Sequence, residues 1–210
     1  IHGVNTSYRY LGASGQRDYF RQALNACDRI VLVGEPIRQY FSEVAGKDAN
    51  FTVIHNGFKM SPMRRQTAIL ANPETRFVSV SNLVEGKGID LTLAALARLK
   101  VSGEINWTYT IVGDGAQRHE LERLVDEYKL APLVRFAGAV EHAAVSPYLS
   151  EADIFVLPSY REAFGVAYLE AMASGLLAIG VEGQGAAEFI RHGENGLLAK
   201  PKNSDDLADQ

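Results

Sequence analysis

Short runs of β-branched and aromatic residues alternate along the chain with longer segments whose apolar residues recur every three or four positions. In the first part of the chain, residues 29–33 and 51–55 are such short runs, and each predicts a strand. Between them, the i, i+3, i+4, i+7 spacing of a helix face is marked by Ile37, Tyr40, Phe41 and Val44. The pattern therefore predicts a strand, a helix and a second strand.

A second and longer series of strands and helices begins near residue 77. The predicted strands are 77–81, 108–112, 133–137, 154–157, 177–180 and a run near 196–199. The predicted helices lie between them at about 89–101, 116–129, 142–150, 165–174 and 185–191. Strands separated by helices of this length pair in parallel through right-handed crossovers. The predicted fold class is therefore α/β, with a Rossmann-like doubly wound parallel sheet.

The segment between the two series has a different composition. Residues 58–75 are polar, contain two prolines and show no clear period, so we interpret them as a linker or hinge. The predicted boundary leaves residues 1–59 in a first domain and residues 60–210 in a second. Both ends look cut, because the start enters mid-fold and a helix capped near residues 203–204 stops within two turns. We expect the chain to be a fragment of a longer protein.

The first two strands belong to a predicted sheet whose other strands are absent. Such a sheet would leave an edge and an apolar face without cover. We expect either a contact between chains through residues 1–59 or packing of the 29–55 segment against the second domain.

Charge and composition argue against several classes of function. With a formal net charge of -4, nothing indicates binding to nucleic acid or to an anionic membrane. No apolar run reaches the roughly 20 residues of a membrane span, and the start lacks a signal peptide. Because the single cysteine, Cys27, cannot form an internal disulfide, a reducing cytoplasm is predicted. The five histidines lack metal-ligand spacing and no D-x-D triplet occurs, so we predict no metal and no cofactor.

Two glutamates mark the first candidate for chemistry. Glu162 precedes a predicted helix and Glu170 lies within it, about 12 Å further on at roughly 1.5 Å per residue. Glycosidase carboxylates lie about 5–9.5 Å apart, so this pair is poorly spaced to flank one bond. The helix start near Gly165 offers backbone N–H groups and a dipole that favour an anion such as phosphate. Two hydroxylated ends around an anionic centre describe a nucleotide sugar.

Two further strand-to-helix loops occupy the carboxyl ends of strands, where open α/β sheets bind ligands. In SNLVEGKG, Gly86 and Gly88 flank Lys87, which suits a phosphate-binding turn but lacks the Walker A spacing. The other loop, VGDG at 112–115, lacks the G-x-G-x-x-G of a dinucleotide site. The three loops together indicate a phosphate-containing ligand that is not a dinucleotide cofactor.

These motifs in this order resemble a known family. SNLVEGKG, IVGDG, VRFAGAV and PSYREAFGVAYLEAMASG are similar to the donor-binding half of family-4 retaining glycosyltransferases, the glycosyl transferases group 1, of the GT-B fold. The earlier run ending in FTVIHNG resembles the end of the acceptor-binding half. The resemblance covers about residues 25–200. It implies that residues 1–59 end the acceptor-binding domain and that residues 60–210 form the nucleotide-sugar domain.

The resemblance also implies a role for individual residues. As catalytic residues, Lys87 would contact the donor diphosphate and Glu162 would hold hydroxyls of the transferred sugar. The implied substrate-binding residues are Phe164, Gly165 and Val166 through their backbone, Glu170 at the ribose, and Val140 at the base. Asn82 stands where the family commonly has an arginine, so its part as a phosphate ligand departs from the family pattern.

Simpler interpretations of the same residues remain open at this point. Glu170 suits a solvated helix position, Glu162 suits a helix entry favoured by the dipole, and Lys87 suits a solvated loop. Glu188 has two interpretations, a place in the donor pocket or a role at a helix start, of which we favour the second.

The function implied is transfer of a sugar from a UDP- or GDP-linked donor to a sugar or lipid-linked acceptor. Retention of configuration and a setting in cell-surface polysaccharide or glycolipid synthesis are further implications, at the cytoplasmic face of the membrane in the full-length protein. The alternatives are a non-catalytic nucleotide-sugar binding module and a GT-B epimerase or phosphorylase. We expect the fragment alone to be inactive, because the facing wall of the cleft is missing.

Overall fold

The structure, a computed structural model of the chain, describes residues 14–45, 50–58, 74–103 and 105–210. The strands are β1 (Ile30–Leu32), β2 (Phe51–Val53), β3 (Glu74–Val80), β4 (Asn106–Val112), β5 (Val134–Gly138), β6 (Ile154–Val156), β7 (Leu177–Val181) and β8 (Leu197–Ala199). The α-helices are α1 (Ser14–Ala26), α2 (Glu35–Ala45), α3 (Ile89–Ser102), α4 (Arg118–Glu127), α5 (Val145–Ser150), α6 (Val166–Ala173) and α7 (Ser204–Asp209). Short 3-10 helices cover His142–Ala144 and Gly185–Glu188.

Strands β3 to β8 form one parallel sheet of six strands in the order β5-β4-β3-β6-β7-β8. From β3 the chain first builds outward through β4 and β5, and then returns to build β6, β7 and β8 on the other side. The strand order therefore reverses between β3 and β6, which is the position where open α/β sheets bind ligands. This arrangement confirms the predicted doubly wound α/β sheet.

Alternating residues on the central strands build the main core. On β4, Trp107, Tyr109 and Ile111 are buried, and the residues between them face the other side of the sheet. The buried hydroxyl of Tyr109 lies 2.7 Å from the hydroxyl of Ser79 on the neighbouring strand, so both polar groups are satisfied. The two-residue period in the sequence thus corresponds to one buried and one more exposed face.

Strands β1 and β2 form a separate parallel pair, in which Ile30 lies opposite Phe51. Leu32, Ile37 and Phe41 of this segment are buried in a smaller apolar cluster together with Ala163 and Phe164 from the loop after β6. Of the two expectations for the 29–55 segment, the structure shows packing within the chain. Two apolar side chains of the pair remain exposed, namely Val31 at 44 % and Ile54 at 57 %.

Three elements differ from the sequence prediction. The sequence did not predict helix α1, because this segment has few apolar residues. In the structure one of them, Tyr19, is 77 % exposed. Strand β3 begins at Glu74, inside the expected linker, because Glu74 pairs with Asn106 of β4. The remaining linker residues, 59–73, lie outside the described ranges.

The helix expected at 185–191 is the third difference, since only the 3-10 turn Gly185–Glu188 forms. The chain turns immediately after it because Asn195 closes a loop around Phe189 and Arg191. The Asn195 amide donates to the carbonyl of Phe189 at 3.0 Å, and its oxygen accepts from the N–H of Arg191 at 2.6 Å. These bonds replace a further helical turn.

Candidate functional site

A cavity of about 330 Å³ opens at the carboxyl ends of β3, β4 and β5. The loop after β3 contributes Asn82 and Lys87, the loop after β4 contributes Asp114, and the segment after β5 contributes Val140 and His142. These are the loops that the sequence motifs marked. The parallel strands bring them together because all of their carboxyl ends lie at one edge of the sheet.

Lys87 reaches across the reversal of strand order to the loop after β6. It lies between Gly86 and Gly88, whose φ angles are 97° and 73°. Its Nζ lies 2.7 Å from Oε2 of Glu162, and the two side chains are 22 % and 13 % exposed. The loops are also joined by the Tyr160 N–H, which donates to the carbonyl of Gly86 at 2.9 Å. A cation and an anion are therefore held together at the edge of the cavity.

Helix α6 begins directly behind this ion pair. Gly165, with a φ of 91°, precedes the first helical residue, Val166. A Cβ at Gly165 would lie 2.7 Å from the ring of Tyr168, so both the backbone angle and the contact require glycine. The Tyr168 hydroxyl donates to the carbonyl of Leu157, and burial followed by the charge of Glu162 raises the pKa of this phenol. Tyr168 therefore remains a neutral donor beneath the site.

The second glutamate approaches the same cavity from the next turn of α6. Glu170 is 17 % exposed, and its Oε1 lies 3.4 Å from Nε2 of His142, a residue of the cavity wall. Glu162 contacts Lys87, which also lines the cavity. Each carboxylate therefore contacts a residue of the wall of one cavity, although neither glutamate lines that cavity itself.

Of the other predicted site residues, some line the cavity and Phe164 does not. Asn82 and Val140 line the cavity, as Lys87 does. The ring of Phe164 instead lies in the smaller apolar cluster, where it stacks on His55 with ring centres 4.9 Å apart. The side chain of Phe164 thus faces away from the cavity and toward the β1–β2 segment.

Glu162 also borders a second, smaller cavity of about 100 Å³. Helix α2 contributes Gln39 and Tyr40 to it, and the loops after β6 and β7 contribute Arg161 and Gln184. Gln184 further accepts a hydrogen bond from the Glu162 N–H at 3.1 Å. The carboxylate of Glu162 therefore stands between the large cavity and a polar recess beside α2.

Sequence reasoning missed several residues of this region. Ser81 lines the large cavity, and its buried hydroxyl has no hydrogen-bond partner among the described residues. Ser81 directly follows β3 and opens the loop that contains the glycine-flanked Lys87, so its position in the sequence could have marked it as a candidate site residue. His142 gave no signal, because its contact with Glu170 depends on strand order. Gln184 was also missed.

Glu188 ends the 3-10 turn Gly185–Glu188, and its carboxylate lies at the start of α2. Its carboxylate contacts the N–H of Glu35 and the ring of His55, and it does not line the large cavity. The favoured interpretation, a role at a helix start, agrees with the bond to the N–H of Glu35, the first residue of α2, although that helix is distant in the sequence.

The described residues include no group of three His, Cys, Asp or Glu side chains that could hold a metal ion. Within the same ranges, no helix has both the length and the apolar character needed to cross a bilayer. The polar groups present at the cavity are an ion pair, a histidine beside a carboxylate and hydrogen-bonding side chains.

A six-stranded parallel sheet with a cavity at the carboxyl ends of its strands is the architecture of a doubly wound, Rossmann-like domain. The sequence pattern of the glycosyl transferases group 1 matches residues 63–210, and the chain belongs to that family. The chain is also 30 % identical over 215 residues to the amylovoran biosynthesis glycosyltransferase AmsK of Erwinia amylovora, covering 99 % of this chain and 52 % of that protein. It thus spans about half the length of the curated relatives it matches.

Solved structures share the fold. HepE of Anabaena, determined in complex with UDP and glucose, superposes with a TM-score of 0.76 at 24 % identity, over 93 % of this chain and 55 % of that one. Sucrose-phosphate synthase of Thermosynechococcus elongatus gives a TM-score of 0.79 at 27 % identity, over 94 % and 51 % of the two chains. The predicted fold, a Rossmann-like doubly wound parallel sheet forming the C-terminal half of a GT-B glycosyltransferase, is confirmed by these superpositions.

Proposed function

We propose that the chain binds the nucleotide-sugar donor of a glycosyltransferase and that Lys87, Glu162 and Glu170 are the side chains that grip it. The observation that carries this proposal is that each of two carboxylates contacts a residue lining the same cavity. Glu162 meets the cavity at Lys87, and Glu170 meets it at His142. An elongated ligand with hydroxyl groups at both ends and negative charge between them fits this order of groups.

The negative charge of the donor would lie between the two glutamates. Lys87 supplies a cation at the cavity wall, and the N-terminus of α6 at Phe164, Gly165 and Val166 supplies backbone N–H groups. The unpartnered hydroxyl of Ser81 offers one more donor. During transfer, the bond between the sugar and the diphosphate breaks and negative charge grows on the leaving phosphate. A fixed cation and fixed dipoles stabilise that charge without reorganising.

The two ends of the donor have separate partners in this proposal. Glu162 accepts hydrogen bonds from hydroxyls of the transferred sugar, and Glu170 accepts them from the ribose. Val140 contacts the base through its backbone, and Asn82 takes the place beside the phosphates that an arginine would otherwise hold. The acceptor hydroxyl would form the new bond to the sugar on the face from which the phosphate leaves, and pass its proton to that phosphate. Attack on that face retains configuration.

The relatives support finer parts of the proposal. HepE was determined with UDP and glucose, so we expect a UDP-linked donor ahead of a GDP-linked one. AmsK is a glycosyltransferase of amylovoran biosynthesis, which supports a role in cell-surface polysaccharide synthesis with a sugar or lipid-linked acceptor. In this proposal residues 60–210 are the donor-binding domain, and residues 1–59 end the acceptor-binding domain and the hinge.

Nucleotide binding by the chain tests the proposal directly. Isothermal titration calorimetry with UDP, GDP, UDP-glucose and GDP-mannose should show binding of these diphosphates, with UMP, which lacks the diphosphate, as the control. A ligand present at a hundred times its Kd should also raise the free energy of unfolding by about 2.7 kcal/mol. Failure of all four diphosphates to bind would overturn the proposal. Transfer itself is measured on the full-length protein with donor and acceptor, where binding without turnover would indicate a non-catalytic module.

A further inference from the structure

We propose that Glu188 is a positioning residue, which locks the β1–α2–β2 segment onto the loop that carries Glu162. The contacts that make this lock are independent of any ligand, whereas its consequence for sugar transfer rests on the proposed function. The lock is defined by Glu188, His55, Phe164 and Gly34, and we call it the Glu188 lock.

Both oxygens of the Glu188 carboxylate are engaged by the distant segment. Oε1 accepts a hydrogen bond from the N–H of Glu35 at 2.9 Å, and Oε2 lies 2.8 Å from Nε2 of His55. Glu35 is the first residue of α2, so the carboxylate caps that helix from 153 positions away and meets the positive end of its dipole. The Glu188 side chain is only 16 % exposed. A carboxylate buried this far is stabilised mainly by these two partners.

His55 contacts both Glu188 and Phe164, and so connects Glu188 to the loop of the candidate site. Its ring stacks on the ring of Phe164, with centres 4.9 Å apart and an angle of 24° between the planes. Phe164 is buried and lies between Glu162 and the N-terminus of α6. A side chain that fixes His55 therefore also restrains the loop from which Glu162 projects.

The backbone at Gly34 and the backbone at Gly185 both pack closely against the backbone at Ala163. A Cβ on Gly34 would collide with the carbonyl oxygen of Ala163 and lie 2.5 Å from Oε1 of Glu188. A Cβ on Gly185 would lie 2.7 Å from the carbonyl carbon of Ala163. Because real Cβ atoms do not approach other atoms so closely, glycine is required at both positions. The close fit defines one arrangement of the segment against the loop.

The loop is held from its other side by the turn that carries Glu188. The Gly185 N–H donates to the carbonyl of Glu162 at 3.1 Å, and Gln184 accepts from the Glu162 N–H at the same distance. Glu188 therefore links three parts: its own turn, the Glu162 loop and the start of α2. The contact between Glu170 and His142 involves none of these parts. Loss of the carboxylate should loosen the sugar end of the site and spare the nucleotide end.

Amide hydrogen exchange on the chain tests the lock without any ligand. We expect Glu188→Ala to speed exchange by about tenfold or more at residues 34–37 and also at residues 162–165. Glu188→Gln keeps an oxygen for the Glu35 N–H and should restore much of the protection. The matched control is Glu194→Ala, which removes an exposed glutamate that pairs with Arg191 and should leave both regions unchanged. Faster exchange at 34–37 alone would show a helix cap without a lock and would overturn the proposal.

A second variant keeps the test decisive if Glu188→Ala fails to fold. His55→Leu removes the link to Phe164 and leaves the Glu35 N–H bonded to Glu188. It should speed exchange at residues 162–165 while residues 34–37 stay protected. Unchanged exchange at residues 162–165 would contradict the proposal.

Binding and turnover separate this inference from the proposed function. Glu188→Ala should leave the Kd for UDP within about twofold of the unmutated chain, because no nucleotide contact is altered. In the full-length protein, kcat should fall about tenfold to a hundredfold, because a small misplacement at the reacting centre is costly. A kcat equal to that of the unmutated enzyme would refute the positioning role. If the unmutated chain binds no nucleotide, the proposed function fails while the exchange measurements still decide the lock.

Discussion

Lys87 Nζ lies 2.7 Å from Glu162 Oε2, although 75 positions separate the two residues in the chain. They follow β3 and β6, which are neighbours in the sheet because the strand order reverses between them. The side chains are 22 % and 13 % exposed, so each charge has lost most of its water and depends on the other. The ion pair therefore supports the local fold as well as the proposed site.

Replacing Lys87 by Met should destabilise the chain, because it leaves the Glu162 carboxylate mostly buried without its cation. We expect the free energy of unfolding to fall by about 1–3 kcal/mol. Glu162→Gln alone should also destabilise, and the double variant should lose less than the sum of the two. Urea unfolding followed by the fluorescence of the single tryptophan, Trp107, which is buried, measures each step.

The control for this cycle is the ion pair between Arg123 and Glu120 on α4, whose side chains are 58 % and 54 % exposed. An exposed pair of this kind contributes little to stability, because water screens it. The coupling between Lys87 and Glu162 should exceed the coupling measured for this pair. Equal couplings would show that the buried pair contributes no more than a solvated one.

Glu170→Ala tests the nucleotide end of the site. Glu170 is mostly buried beside His142, and in the proposal it accepts hydrogen bonds from the ribose. Loss of one or two such bonds, each worth about 0.5–1.5 kcal/mol, should raise the Kd for UDP about tenfold. Isothermal titration calorimetry provides the measurement, and Glu194→Ala is the matched change at an exposed glutamate. An unchanged Kd would place the ribose elsewhere.

Local signals in the sequence were sufficient for much of the fold and for part of the site. Lys87 between two glycines, and a glutamate on each side of Gly165, are features of single strand-loop-helix units. A sequence reader can see such units without knowing which strands are neighbours. The positions of these loops at the carboxyl ends of strands followed from the α/β alternation alone.

Contacts that depend on strand order could not be read in this way. The meeting of Glu170 with His142 requires the segment after β5 to lie beside α6. Glu188 bonds to His55 across 133 positions, and its sequence context suggested a local helix role. Both contacts arise because segments distant in the sequence pack together. Periodicity and residue spacing carry no information about such packing.

Gly165→Ala should destabilise the chain for two separate reasons. Alanine must adopt a φ of 91°, and its Cβ would lie 2.7 Å from the ring of Tyr168. The backbone cost of about 1–2 kcal/mol and an overpacking cost of about 1–3 kcal/mol together reduce the free energy of unfolding by about 2–5 kcal/mol.

Gly193→Ala separates these two costs. Gly193 has a φ of 78° with open space where a Cβ would lie, so only the backbone cost applies. Urea midpoints of the two variants should therefore differ clearly, with Gly165→Ala the less stable. Similar midpoints would mean that Tyr168 moves aside without cost.

Tyr168→Phe should lower the free energy of unfolding at neutral pH. The difference in stability between the variant and the unmutated chain should become smaller at alkaline pH. Tyr168 is fully buried, and its hydroxyl donates to the carbonyl of Leu157. That carbonyl also accepts from the N–H of Ser159 at 2.7 Å, so removing the hydroxyl leaves it bonded. Loss of one such bond should lower the free energy of unfolding by about 0.5–1.5 kcal/mol near pH 8.

The alkaline behaviour follows from the pKa of the same group. Burial, and then the charge of Glu162, raises the pKa of Tyr168 in the folded chain well above its ordinary value of 10.0. Below pH 10 the phenol is protonated in both states, so it adds no pH dependence. Above that pH the unfolded chain loses the proton and the folded chain keeps it, so stability falls by up to about 1.4 kcal/mol per pH unit.

Phenylalanine cannot ionise, and the other tyrosines are shared by both proteins. The gap between Tyr168→Phe and the unmutated chain, measured by urea unfolding near pH 8 and near pH 11, should therefore shrink or reverse. A constant gap would mean that Tyr168 ionises as readily in the folded chain as in the unfolded one.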